Sequence, residues 1–225
     1  MDVNKRFFLD FLLGTGDVHV LFEPYFSHGN AETIIWRRGD HLWDSPKEYI
    51  KTMLSVAERT QSDVMVCDVG LFRGDKKLML IEYLRKYMLK GRPIGTCVIC
   101  HSQEDVDMAS DIADCLGVYG NAKSKIAPVI RMDGTIEEAI ARGDSGWFAR
   151  DNVEHYLKNY GDKIRILGGL GAEFIQSASP AKIQKSIERL AAKYKGKWAV
   201  GSGGIVSKDK YLELASMLWA FLKLR

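Results

Sequence analysis

The sequence has no excess of charge of one sign and no long run of apolar residues. Its 32 lysine and arginine residues nearly balance 29 aspartate and glutamate residues, leaving a net charge of +3, and the basic residues form no tail or stripe. Binding of nucleic acid by electrostatic attraction therefore has no support. No stretch approaches the continuous apolar length that a membrane-spanning helix needs, so no membrane partner is expected.

The chain also has little that is typical of an exported protein. Residues 1–13 mix charged with apolar side chains, so they lack the uninterrupted apolar centre of a signal peptide. Four cysteines in 225 residues are expected to be reduced thiols rather than a disulfide framework. These features predict a cytoplasmic protein.

What the sequence does contain is an alternation of short apolar or β-branched runs with longer segments of helical periodicity. That alternation is typical of an α/β fold with a parallel sheet, and one domain spanning residues 1–225 is expected. Periodicity alone does not separate a closed barrel from an open doubly wound sheet. The expected strands are Val18–Phe22, Asp63–Asp68, Ile94–Cys100, Ile126–Met132, Gly146–Arg150, Ile164–Leu167 and Lys197–Val200, with Cys115–Tyr119 as a weakly patterned eighth.

Helix start signals lie between these runs. Ser45–Glu48, Thr135–Glu138 and Asp151–Glu154 have the spacing of capping boxes, and Ser179 precedes a proline at a first helical position. The remaining helices are expected at Pro46–Thr60, Lys76–Leu89, Ser102–Asp114 and Lys208–Leu224.

Glycine-rich segments in the C-terminal part carry a family resemblance. Gly161–Ile175 begins with Gly-Asp-Lys and leads through a strand into Gly-Gly-Leu-Gly, and Ser177–Ile187 and Trp198–Val206 continue with a Ser-Pro helix start and a glycine-rich strand end. These segments resemble the uroporphyrinogen decarboxylase superfamily, which includes the decarboxylase of haem biosynthesis and the corrinoid-dependent methyltransferases.

The resemblance implies a compact (β/α)8 TIM barrel with its chemistry at the C-terminal ends of the strands. Members of the superfamily are longer than this chain, and the shortfall lies between Cys100 and Ile126, so the fourth βα unit is expected to be reduced. The resemblance further implies a carboxylated, tetrapyrrole-related substrate, a role in porphyrin metabolism and a homodimer.

Asp68 resembles the catalytic aspartate of that superfamily. Decarboxylation of an acetate group on a pyrrole needs an acidic group to protonate or stabilise the cationic intermediate, and cations to hold the other carboxylates. The alternative for Asp68 is to cap the turn that follows its strand. The residues expected to bind the substrate lie after other strands or in their loops: Glu23, Tyr25, His28, Arg38, His101, Arg131, Arg150, Gly169 and Ser202.

The sequence departs from both branches of the superfamily. The decarboxylase has a histidine in its last glycine-rich loop, where this chain has Gly201–Ile205 with Ser202. The methyltransferases hold zinc with a His-x-Cys motif and a distant cysteine, where this chain has Ile130–Asp133 and again Ser202. No metal and no resident cofactor are therefore expected. Three hypotheses stay open: a decarboxylase (a lyase), a methyltransferase that exchanges a methyl group with a corrinoid-bearing partner protein, and a non-catalytic barrel that binds a tetrapyrrole or corrinoid.

Two further motifs allow alternatives. Cys97–His101 matches a haem-attachment pattern, but in a strand its two cysteines would point to opposite faces, which favours core packing. The glycines of 168–171 and 201–204 are compatible with an anion site or with tight turns. A metal site at the strand ends would draw its ligands from Cys67, Asp68, Cys100, His101 and His28.

Overall fold

A computed structural model describes residues 45–59, 64–89, 95–108, 129–131, 133–207, 209–210, 212–214 and 216–217. Two of the expected strands, Val18–Phe22 and Cys115–Tyr119, lie outside the described residues. So do four of the candidate site residues, Glu23, Tyr25, His28 and Arg38. The expectation of one domain over residues 1–225 stays a prediction.

The described strands form two parallel sheets of three strands each. The first sheet has the order β1, β2, β3 and the second has the order β4, β5, β6, so each strand pairs with a neighbour in sequence. Runs such as Val-Met-Val-Cys suit this arrangement, because strands of a parallel sheet are covered on both faces. The bounds are β1 (Val64–Asp68), β2 (Gly95–Cys100), β3 (Val129–Arg131), β4 (Gly146–Ala149), β5 (Arg165–Leu170) and β6 (Trp198–Ser202).

The register of the first sheet brings three candidate site residues to one edge. Asp68 pairs with Ile99, and Cys100 pairs with Arg131. His101 follows Cys100 directly, so Asp68, His101 and Arg131 all lie at the C-terminal edge of this sheet.

The expected closed (β/α)8 barrel is wrong. Over the described residues, β3 and β4 contact one another, but no hydrogen-bonded ladder joins them and the strands do not close into a ring. The βαβ alternation determines that sequence neighbours pair in parallel, whereas closure depends on strand tilt and ladder stagger, which an apolar pattern does not encode. Of the expected strand Ile126–Met132, the described residues Val129–Arg131 form β3, and the others lie outside the described residues.

Helices connect most of the strands. They are α1 (Pro46–Arg59), α2 (Asp75–Leu89), α3 (Ile136–Arg142), α4 (Val153–Tyr160), α5 (Ala172–Ser177) and α6 (Pro180–Lys193), and residues 103–108 and parts of 209–217 are also helical. The sequence pattern does not predict α5, because six residues are too few to show a helical repeat. Among the described residues, no helix has the length and apolar character to cross a membrane.

The capping signal at the start of α3 is confirmed. The Thr135 hydroxyl accepts a hydrogen bond from the Glu138 N–H at 3.2 Å, and the Thr135 N–H donates to the Glu138 carboxylate at 2.8 Å. The helix ends at Gly143, whose φ of 79° is in the left-handed region that glycine adopts most easily. Local chemistry therefore sets both ends of α3.

The capping box expected at Asp151–Glu154 is wrong. The helix α4 is capped by Asn152, at a φ of 49°, without a side-chain cap hydrogen bond. Both carboxylate oxygens of Glu154 instead accept hydrogen bonds from the Arg189 guanidinium, each at 2.7 Å. The Glu154 carboxylate therefore binds Arg189, which is distant in sequence, and does not form the local capping hydrogen bond.

Two hydrophobic clusters bury the apolar residues of these elements. The first cluster packs α1 and α2 against β1 and β2, and includes Tyr49, Met65 and Cys67. The second cluster packs α3, α4 and α6 against β4, β5 and β6, and includes Ile166 and Trp198. Asp68 and His101 directly follow Cys67 and Cys100 of the first cluster in the chain.

Candidate functional site

Asp68 and His101 meet at the C-terminal edge of the first sheet. The Nε2 atom of His101 lies 3.0 Å from both Oδ1 and Oδ2 of Asp68. The Asp68 side chain is 12% exposed, whereas the His101 side chain is 42% exposed. The carboxylate is therefore nearly enclosed, and the imidazole is the member of the pair that a substrate can reach.

Asp68 is held in place by its surroundings. It is the last residue of β1, and its Oδ1 accepts a hydrogen bond from the Gly70 N–H at 2.8 Å, which caps the 3-10 turn Val69–Leu71. Its own N–H donates to the Tyr49 hydroxyl of α1 at 2.9 Å. The capping interpretation of Asp68 is thus confirmed. It does not exclude a chemical role, because the same carboxylate contacts His101.

His101 is anchored through its backbone. Its N–H donates to Asp105 Oδ2 at 2.9 Å, and Asp105 Oδ1 accepts from the Lys77 ammonium group of α2. The Asp105 N–H in turn donates to the Ser102 hydroxyl at 3.2 Å. The side chains of Asp105 and Lys77 are only 3% and 15% exposed. This buried ion pair therefore ties the loop that carries His101 to the helix α2.

The electrostatics of the pair favour the protonated imidazole. The hydrogen bond with Asp68 raises the pKa of His101, and partial burial of the ring opposes this. The negative charges of Asp68, Asp105 and Asp133 raise the pKa further. The fraction of His101 that is protonated at neutral pH is therefore larger than that of a free histidine.

Two other titratable groups next to Asp68 stay neutral. Burial, together with the Asp68 charge, raises the pKa of Tyr49 and of the Cys67 thiol. A protonated, fully buried thiol is neither a nucleophile nor a metal ligand, so Cys67 acts as an apolar core residue. Cys100 is also buried and free. Within the described part of the chain, no three His, Cys, Asp or Glu residues are placed to hold a metal ion.

The C-terminal edge of the second sheet is packed differently. Ser202 is fully buried, and its hydroxyl donates to the Gly204 carbonyl at 2.6 Å. Gly169 has a φ of 86°, and a Cβ there would lie 2.6 Å from the Cβ of Val153. Close packing of β5 against α4 thus accounts for this glycine, which lies within the strand β5 and not in the expected tight turn.

The structure brings together some of the predicted site residues. Asp68 and His101 are in contact, and Arg131 ends the adjacent strand at the same edge. Arg150, Gly169 and Ser202 instead follow or belong to strands of the second sheet. Their assignment to the substrate site stays a prediction.

Four residues of the site were not identified from the sequence: Tyr49, Gly70, Lys77 and Asp105. Asp105 does have a local signal, because it follows Ser102 at the spacing of a helix cap. Tyr49 and Lys77 lie on helices that reach the site only through tertiary packing, so no local pattern reveals them.

A comparison with models of known protein families finds no family that matches, and a comparison with curated proteins finds no relative. The resemblance to the uroporphyrinogen decarboxylase superfamily therefore depends on the sequence motifs alone. The geometry of the His101–Asp68 pair is the main guide to function.

Proposed function

We propose that this chain is an enzyme that removes a carboxyl group from a carboxylated substrate, with His101 as the proton donor and Asp68 as its orienting partner. The observation that carries the proposal is the contact of 3.0 Å between His101 Nε2 and a nearly enclosed Asp68 carboxylate. An accessible imidazole held by a buried carboxylate is a common arrangement for acid–base catalysis.

In this reaction a proton replaces the carboxyl group at one carbon atom of the substrate. For an acetate group on a pyrrole, a proton taken up by the ring gives a cationic intermediate, so that carbon dioxide leaves and the electron pair moves into the ring when the bond between that carbon and the carboxylate breaks. The ring proton returns to water when the new C–H bond forms. The His101 imidazolium donates a proton to form the new C–H bond, and the imidazole regains a proton from water. Asp68 stabilises the imidazolium, so its role is to stabilise charge while the imidazole transfers the proton.

The substrate class is proposed from the motif resemblance and from the position of Arg131. A tetrapyrrole-related acid such as uroporphyrinogen has several carboxylates, and Arg131, at the strand end next to His101, and Arg38 are proposed to bind them. This reaction requires no cofactor beyond these groups. The cytoplasm is the proposed location, supported by the free, buried thiols of Cys67 and Cys100. A homodimer is proposed from the motif resemblance.

Release of carbon dioxide from uroporphyrinogen tests the proposal directly. His101→Gln should lower the rate by about 10²-fold to 10⁴-fold, because general acid catalysis contributes that much. Asp68→Asn removes the charge of the carboxylate and should also lower the rate. Its amide oxygen can still accept the hydrogen bond from the Gly70 N–H, so the turn should be kept. His155→Gln, at an exposed histidine of α4, is the matched control and should leave the rate unchanged.

Each outcome separates the three hypotheses. Full turnover in His101→Gln would exclude His101 as the proton donor. Demethylation that occurs only with an added corrinoid protein would favour methyl transfer instead. Binding of a tetrapyrrole without any turnover would favour the non-catalytic alternative.

A further inference from the structure

The 3-10 turn after β1 passes directly beneath the His101 ring. Gly70, in the middle of this turn, donates its N–H to the same Asp68 oxygen that His101 Nε2 contacts. A Cβ at position 70 would lie 3.2 Å from His101 Cγ, 3.2 Å from Asp68 Oδ1 and closer still to His101 Cδ2. Carbon atoms pack best at separations of about 3.5–4.0 Å, so the ring and such a methyl group cannot share this space.

The backbone gives no other reason for glycine at this position. Gly70 is not in the left-handed region, unlike Gly74 a few residues later, whose φ is 53°. An L-residue could therefore adopt the Gly70 conformation and still donate its N–H to Asp68. What it could not do is leave room for the ring.

We infer that Gly70 is a positioning residue of the site: because it has no side chain, the His101 ring can lie against the turn and reach the Asp68 carboxylate. The atom that such a Cβ would meet most closely belongs to the half-exposed side chain of His101 rather than to backbone. The ring can therefore swing away into solvent, so a side chain at position 70 should separate the pair without unfolding the chain. The consequence for turnover depends on the proposed function, whereas the consequence for the geometry of the pair does not.

The test is Gly70→Ala, followed by NMR titration of His101 in the whole chain. Among the described residues, the charges that face His101 are those of Asp68, Asp105 and Asp133, with Lys77 on Asp105, and the substitution alters none of them. The pKa of His101 should fall towards the ordinary value of about 6.5 because the ring loses Asp68. Turnover should fall by about 10²-fold, mainly in kcat, as expected for a displaced catalytic group.

Gly204→Ala is the matched control. A Cβ at position 204 would lie 3.4 Å from the Cβ of Ala172, an ordinary contact, and Gly204 has no positive φ. It should leave the His101 titration unchanged. An unchanged titration in Gly70→Ala would overturn the inference. If His101→Gln still lowered turnover as expected, the proposed function would survive that result.

A double-mutant cycle covers the case in which Gly70→Ala is too unstable to titrate. In a His101→Ala background there is no ring to displace, so Gly70→Ala should reduce stability less than it does in the wild type. Equal losses in both backgrounds, measured by urea unfolding, would show that the ring and position 70 do not compete for space.

Discussion

At the scale of single residues, the His101–Asp68 pair differs from an ordinary surface ion pair. Exposed pairs contribute little, because ordering two long side chains opposes the attraction. Here the Asp68 carboxylate accepts from Gly70, and the backbone of the same residue donates to Tyr49. Asp68 is thus held in place independently of His101, so formation of the pair requires the ordering of the imidazole alone.

The pair makes stability depend on pH in a direction that can be measured. The pKa of His101 is higher in the folded protein than in the unfolded chain, where it is about 6.5. The stabilisation that the pair gives to the folded state is therefore fully present below the unfolded pKa and is lost as pH rises through the folded pKa. We expect the stability advantage of the wild type over Asp68→Asn to be largest in that acidic range and to shrink towards pH 8. Thermal unfolding of both proteins over this range measures it.

NMR titration of His101 in the wild type and in Asp68→Asn provides the control for that prediction. His101→Gln identifies the resonance of His101 among the five histidines. The pKa of His101 should be lower in Asp68→Asn than in the wild type. An equal pKa in the two proteins would show that Asp68 does not hold the imidazole in solution.

At the scale of elements, the Lys77–Asp105 ion pair joins α2 to the helical residues 103–108. Burial alone opposes ionisation of Asp105, but the hydrogen bonds from Lys77 and from the His101 N–H, with the Lys77 charge, lower its pKa overall. The pair thus keeps a charged carboxylate inside the protein, where the backbone of His101 depends on it.

Removing one partner of this pair should be costly. Lys77→Met leaves Asp105 buried without its cation, and loss of one partner in a buried pair typically lowers the free energy of unfolding by about 3 kcal/mol or more. Lys51→Met is the control, because Lys51 and Glu48 form an exposed pair, and a change within about 0.5 kcal/mol is expected. Urea unfolding measures both.

A double substitution sharpens this test. Lys77→Met with Asp105→Leu removes the stranded charge and should recover part of the lost stability. The His101 loop would still lack its anchor, so turnover should stay low. Recovery of full turnover would argue against a role for Asp105 in positioning His101.

At the scale of the whole molecule, the second hydrophobic cluster contributes to the stability of the fold but contains neither Asp68 nor His101. Ile166, in β5, is fully buried in the second cluster, whereas Asp68 and His101 directly follow Cys67 and Cys100 of the first. Ile166→Ala should lower the free energy of unfolding by about 2–5 kcal/mol through lost contacts and a cavity. The His101 titration should be unchanged.

Ile205→Ala is the matched control, since Ile205 is 65% exposed. It should change the stability by no more than about 0.5 kcal/mol. A shift of the His101 pKa in Ile166→Ala would show instead that the two clusters are mechanically coupled.

The same scale shows what the sequence could and could not predict. The runs that became β1, β2, β4, β5 and β6 were predictable because each is a short apolar segment between helical ones. Barrel closure was not, because stagger between strands is a collective property. Asp68 and His101 were identifiable as strand-end residues, but their contact depends on the register of β1 against β2, and Tyr49 and Lys77 reach the site only from neighbouring helices.

The order of the strands also bears on how the protein is made. Within each described sheet, every strand pairs with one that precedes or follows it among the described strands, so each sheet is built from one continuous part of the chain. During synthesis, β2 can pair with β1 as soon as Cys100 has left the ribosome, and β5 and β6 can add in turn to β4. The Asp68–His101 pair can therefore form on the nascent chain before the second sheet has been translated.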